Sequence, residues 1–162
     1  MTTPFPFVAG ATLSASDLNS LGTWDSTTWA TGTTVENITV GDGTETALFT
    51  RIGDGTDVGL VAYWYELVWG TTTSITGAPY LWFPVEATDA RQGCMSSFCF
   101  LEDDNGTDYF GRLFRNNSER ALIRVFDSSS TYVSSTNVTN TVPHTWATGD
   151  RIIVSGYYRP GV

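Results

Sequence analysis

The chain has no lysine, a single histidine and two cysteines, and charged residues fill only 15% of its 162 positions. All eight basic residues are arginine, set against 17 Asp and Glu for a net charge of −9. Such a surface repels polyanions in most orientations, which argues against nucleic-acid and anionic-lipid partners. No apolar run approaches the ~18 to 20 residues a membrane span needs, and "MTTPFPFVAGATL" lacks the basic start of a signal peptide. The expectation is synthesis in a cytoplasm, where Cys94 and Cys99 in "CMSSFC" meet reducing conditions. On one continuous strand their odd spacing points them to opposite faces as buried free thiols; a clip across a tight turn is the alternative.

Catalytic patterns are equally scarce. His144, in "TVPHTWATG", has no second histidine or patterned cysteine to complete a zinc site, and a lone loop histidine is ordinary surface. No G-x-S-x-G elbow, P-loop or G-x-G-x-x-G is present. Asp103, Asp104 and Asp108 around Asn105-Gly106 resemble part of a calcium loop but lack its closing Glu, and acidic residues at a hairpin tip serve turn chemistry anyway. A carboxylate pair able to hydrolyse glycosides is the remaining enzymatic option. The expectation is a non-enzyme with no cofactor and no metal.

What the chain does have is β chemistry. Aromatic residues make up 14% of it and Ser plus Thr about a quarter, a balance that favours pleated, half-buried strands. From about residue 36, β-branched and aromatic runs alternate with Gly, Asp and Asn at close spacing, as in a sandwich or barrel. "ENITV" and "ETALFTRI" each stop at a "GDGT", and Asp-Gly between strands predicts two successive hairpins. Val58 to Trp69, "VGLVAYWYELVW", predicts a central strand covered on both faces or at a subunit interface. "GTTTSITGAP" reads as a polar loop and "YLWFPV" as a strand with Pro84 at an edge or end. Asn105-Gly106 marks another hairpin tip, "ERALIRVF" a further strand, and Arg151 to Tyr158 the last one. "TWATG" at Thr28 to Gly32 and again at Thr145 to Gly149 places a Trp against the core just ahead of a turn each time. Trp64, Trp69 and Trp82 lie in apolar runs, which assigns them to core or interface, with a sugar-stacking platform as the alternative.

The front of the chain differs. In "FVAGATLSASDLNSLG", Ser14 and Asp17 form a capping box, Leu13 and Leu18 a hydrophobic staple, and Gly22 a stop, which predicts a helix from Ala15 to Leu21. A helix of ~2 turns does not persist alone in water, so it must dock its leucines on something. The expected organisation is residues 1–35 as anchoring arm, short helix and linker, then residues 36–162 as an antiparallel β-sandwich of jelly-roll type.

"PFPFVAGATLSASDLNSLG" resembles the N-terminal segment, F-x-x-G-x-x-L-[ST]-A-x-x-L-N, of tailed-bacteriophage fibre, minor tail and head-fibre proteins. "ENITVGDGTETALFTRIGDGTDVGLVAYWYELVWGTTTSITGAPYLWFPV" is similar to the body pattern of actinophage members, and "HTWATGDRIIVSGYYRP" resembles their usual close. Two departures stand out: Phe49-Thr50-Arg51 replaces the usual Tyr-x-Arg, and the long strand is unusually rich in Trp. The resemblance implies a homotrimeric structural protein on the virion surface, either a capsid decoration or a small tail appendage. It also implies that Phe5, Phe7, Val8, Leu13, Leu18 and Leu21 dock on other virion proteins. A module binding host surface glycan is the alternative.

Overall fold

The structure, a computed structural model, describes residues 29, 34–52, 59–87, 95–128 and 132–160. Among them there is no helix, and nine strands pair antiparallel throughout. The strands are β1 (Val35–Thr39), β2 (Thr44–Ile52), β3 (Leu60–Val68), β4 (Ser74–Trp82), β5 (Met95–Asp103), β6 (Thr107–Arg115), β7 (Arg120–Asp127), β8 (Ser134–Asn137) and β9 (Arg151–Tyr158). The all-β, antiparallel expectation holds. In place of two separate sheets, hydrogen bonding runs through one, in the order β1-β4-β7-β6-β5-β9-β3-β2, with β8 beside β7. The helix expected at Ala15 to Leu21 lies outside the described residues.

One connection dictates the shape of the sheet. β1 and β2 stand at opposite edges, yet only residues 40–43 join them. Eight strands laid flat would put those edges ~34 Å apart at ~4.8 Å per gap, whereas the link reaches at most ~18 Å. The sheet therefore curls into a half-barrel that brings its edges together.

The first "GDGT" is accordingly not a hairpin, because β1 pairs with β4 and β2 with β3. Asp42 fastens this turn to the one between β3 and β4. It accepts hydrogen bonds from Thr71 Oγ1 at 2.5 Å, Thr72 N at 2.7 Å and Thr72 Oγ1 at 2.8 Å. Those bonds, the Thr71 hydroxyl first, hold the Asp42 carboxyl well below the usual carboxylate range. Thr73 Oγ1 donates to the Val40 carbonyl at 2.6 Å, and Gly41 takes the left-handed φ of 61° that the turn requires. The second "GDGT" lies outside the described residues, although the strands on either side of it do pair.

Two further strand expectations change. β3 lies next to the edge strand β2 rather than in the centre, and only one of its faces is buried: Val61, Tyr63, Tyr65 and Leu67 point inward while Ala62, Trp64, Glu66 and Val68 point outward. β4 begins inside the stretch expected to be loop, where Ser74 and Ile75 pair with Thr39 and Ile38 of β1 and Asn37 Nδ2 donates to the Ala78 carbonyl at 2.8 Å, contacts that override the weak propensity of "SITGAP". Its Pro79 falls where the β1 register shifts, beside Asn37 at φ 63°, so the missing N–H costs no regular ladder bond.

The core fills the concave side. Trp29, from the stretch expected to be linker, packs edge-on against Phe49 and Tyr63 and tilted against Tyr65, with centroids 6.1 to 6.4 Å apart. Tyr158 joins the cluster through Tyr63 and Phe83 and donates its hydroxyl to the Val85 carbonyl at 2.6 Å. Trp146, the second Trp of the "TWATG" echo, stacks on Trp69 at 4.6 Å. Cys99 is a fully buried free thiol whose burial pushes its pKa up to about 12; Cys94 lies outside the described residues.

Gly111 lies in β6 opposite Cys99 on one side and Val125 on the other. A Cβ there would stand 2.0 Å from the Arg124 carbonyl oxygen, an atom fixed by the ladder. Gly111→Ala is therefore expected to destabilise the fold by ~3 kcal/mol, seen as a lowered urea midpoint; an unchanged midpoint would contradict this packing.

Candidate functional site

The convex face of the sheet is aromatic and half exposed. Strict alternation delivers it: in each strand the residues between the core positions point outward. The register assembles them into rows. Leu48, Trp64, Ser155 and Phe98 face one another across β2, β3, β9 and β5, and Thr46, Glu66, Ile153, Phe100 and Phe110 form the next row. Phe110 packs against Phe98 and Phe100 at 5.6 and 5.5 Å. Phe98, Phe110, Phe126 and Tyr157 are each 45 to 52% exposed.

Between Phe98 and Tyr157 the face opens into a cleft of about 480 Å³. Ser96 and Ser155 contribute hydroxyls to its wall, and Gly156, between Tyr63 and Ser97 in the register, lies on the inner phase of β9 beneath it. A Cβ on Gly156 would meet the Ser96 carbonyl at 2.3 Å and the Tyr63 hydroxyl at 2.8 Å. That Tyr63 hydroxyl is buried and has no hydrogen-bond partner among the described residues, and burial raises its pKa far above the phenol range.

Beside the cleft lies an arginine pair. Arg112 and Arg124 are directly opposed in β6 and β7, and both guanidinium groups lie over the Phe114 ring, at 5.6 and 5.0 Å. Among the described residues neither joins an ion pair. Both Nε atoms are buried without a partner among the described residues, and Arg112 Nη2 has a long contact of 3.4 Å to Ser135 Oγ. The two other arginines on this face are matched: Arg120 with Glu36, over the Tyr80 and Trp82 rings, and Arg151 with Glu66 and Glu102 at 3.6 and 3.8 Å.

No family model matches this chain, and no similar curated protein or solved structure is found. The residues and their geometry are therefore what bear on function.

The anchoring residues expected from the sequence, Phe5, Phe7, Val8, Leu13, Leu18 and Leu21, lie outside the described residues. Of the three Trp assigned to core or interface, only Trp69 is in the core; Trp64 and Trp82 stand half-buried on the convex face. His144 is not surface. Its side chain is nearly enclosed, lies between Tyr109 and Trp146, and places Nε2 3.0 Å from the buried Asp150. At the hairpin tip, Asp103 accepts from the Asn105 backbone and side-chain amides at 2.9 Å, which lowers its pKa and closes the turn. Among the described residues, no three His, Cys, Asp or Glu side chains converge as a metal site. Sequence reasoning missed Phe98, Tyr157, Arg112 and Arg124. Alternation alone puts each on the outer phase of its strand, but their proximity depends on the register.

Proposed function

We propose that this chain is a non-enzymatic surface-display protein, anchored to a larger particle by its N-terminal segment and presenting the convex sheet face outward. The observation that carries this reading is the face itself. A sheet that buries its whole core on one side leaves on the other a continuous aromatic surface, of the kind that marks interaction sites. The setting that the sequence resembles, the surface of a tailed-phage virion as capsid decoration or small tail appendage, supplies both an anchor partner and an outward side. A homotrimer is the assembly expected there.

Deleting residues 1–22 tests the anchor. The truncated chain should keep its β circular dichroism and cooperative melting but fail to co-sediment with virions and fail to be labelled on them by immunogold. Stoichiometric incorporation of the truncated chain would defeat this reading.

A second reading, a module that binds host glycan, is favoured by the cleft. Phe98 and Tyr157 flank hydroxyl-bearing Ser96 and Ser155, which matches a ligand with apolar ring faces and polar edges. The two readings are compatible on one displayed face.

A further inference from the structure

We infer that the convex face binds a saccharide carrying an isolated carboxylate, with Arg112 and Arg124 receiving the acid and Phe98 and Tyr157 stacking the sugar rings. This rests on the glycan reading and names the ligand class for it.

The arginine pair is the starting point. Like charges directly opposed across a ladder are unfavourable, and the Phe114 ring returns only ~0.5 to 1 kcal/mol per cation. Among the described residues, leaving this pair without a counter-ion while Arg120 and Arg151 have theirs is a local excess of positive charge. Guanidinium forks match carboxylate geometry, so an incoming acid relieves the repulsion and supplies charge-assisted hydrogen bonds. The overall charge of −9 limits how acidic that ligand can be. A polyanion is strongly repelled by the rest of the surface, whereas an otherwise uncharged saccharide with one carboxylate is repelled far less.

The pair connects to the cleft. Cys99 pairs with Gly111, so Phe98 and Arg112 follow side by side on the convex face, and Phe98 is opposed on its other side by Ser155. From β7 to β9 the face spans ~14 Å, room for a short oligosaccharide. A sugar over Phe98 and Tyr157 lays an apolar ring face on aromatic rings and turns its hydroxyls toward Ser96 and Ser155.

Calorimetry on the full chain tests this with two probes: an oligosaccharide ending in glucuronic acid, and the same oligosaccharide ending in glucose. The acid-bearing probe should bind at least ~10-fold more tightly, with the advantage shrinking as salt is raised. Arg124→Gln and Arg112→Gln should abolish that advantage. Phe98→Ala and Tyr157→Ala should weaken both probes, and free glucuronate should compete on the unmodified chain, a check that needs no variant to fold. Equal affinity for the two probes, binding of neither, or an advantage that survives both arginine changes would overturn the proposal. So would concentration-dependent self-association broken by Arg124→Gln, which would make the face an interface between copies. None of these outcomes depends on whether the chain lacking residues 1–22 joins virions, so the anchor reading stands or falls separately.

Discussion

Raising the pH from about 9 to about 11 should unfold this protein in one cooperative step, because four buried acids cannot ionise in place. Burial raises the pKa of Cys99 from 9.0 to about 12 and carries Tyr63, Tyr65 and Tyr158 well above their ordinary 10.0. In the unfolded chain the same groups lose their protons near the ordinary values. The folded state therefore binds more protons in this range. The stability these groups contribute is fully present below the unfolded values and is lost as pH rises past them. Each group removes ~1.4 kcal/mol per pH unit, so by about pH 11 the four together withdraw ~7 kcal/mol. That is comparable with the whole stability of an ordinary domain, roughly 5 to 15 kcal/mol.

Tyrosinate absorbance followed alongside circular dichroism checks this. The buried tyrosines should ionise only with loss of β structure, and tyrosinate formation at these three positions in an intact fold would contradict it. Tyr63→Phe separates one contributor. It should flatten the alkaline slope while leaving neutral-pH stability equal or higher, since the hydroxyl it removes is buried without a partner among the described residues.

Asp150→Ala should cost ~3 to 5 kcal/mol and lower Tm by about 10 °C. Asp150 is completely buried, and its carboxylate holds three groups from two places in the fold. Oδ1 accepts from the Asp104 backbone N–H at 3.0 Å, at the β5–β6 tip; Oδ2 accepts from the Ala147 N–H at 2.7 Å and lies 3.0 Å from His144 Nε2. The Asp150 carbonyl also receives the Trp69 N–H at 2.8 Å, and Gly149 N–H returns a bond to the Trp69 carbonyl at 3.0 Å. Removing the carboxylate strands buried donors and releases the stack of Trp69, Trp146 and His144. Asn at this position keeps one acceptor and should lose less. A urea midpoint for Asp150→Ala within ~1 kcal/mol of the parent would show that the knot is dispensable.

His144 illustrates where sequence reasoning stops. A lone histidine in a Pro- and Thr-rich loop gives no local sign of burial, because its enclosure comes from Tyr109 on β6 and from a loop folding back on Asp150. Strands whose own alternation announces them were legible: the last one was expected at Arg151 to Tyr158 and is found there, and the Asn105-Gly106 tip turns with Gly106 at φ 95°. The first Asp-Gly was misleading for a physical reason. Its carboxylate is drawn to Thr71 and Thr72, far along the chain, and that attachment competes with hairpin closure. The first half of β4 was hidden because Gly77 and Pro79 weaken its local signal while its pairing partners lie far off in the chain, on β1.

The sequence by itself determined an all-β chain of alternating strands and an acidic composition poor in cations. Each of these depends on residue type and a period of two, which need no knowledge of partners. Only the tertiary structure decided that β1 and β2 stand at opposite edges, that the sheet must curl to join them, and that Arg112, Arg124, Phe98 and Tyr157 share one face beside a cleft. Those are consequences of register, and register is set by long-range pairing that no local stretch of the chain encodes.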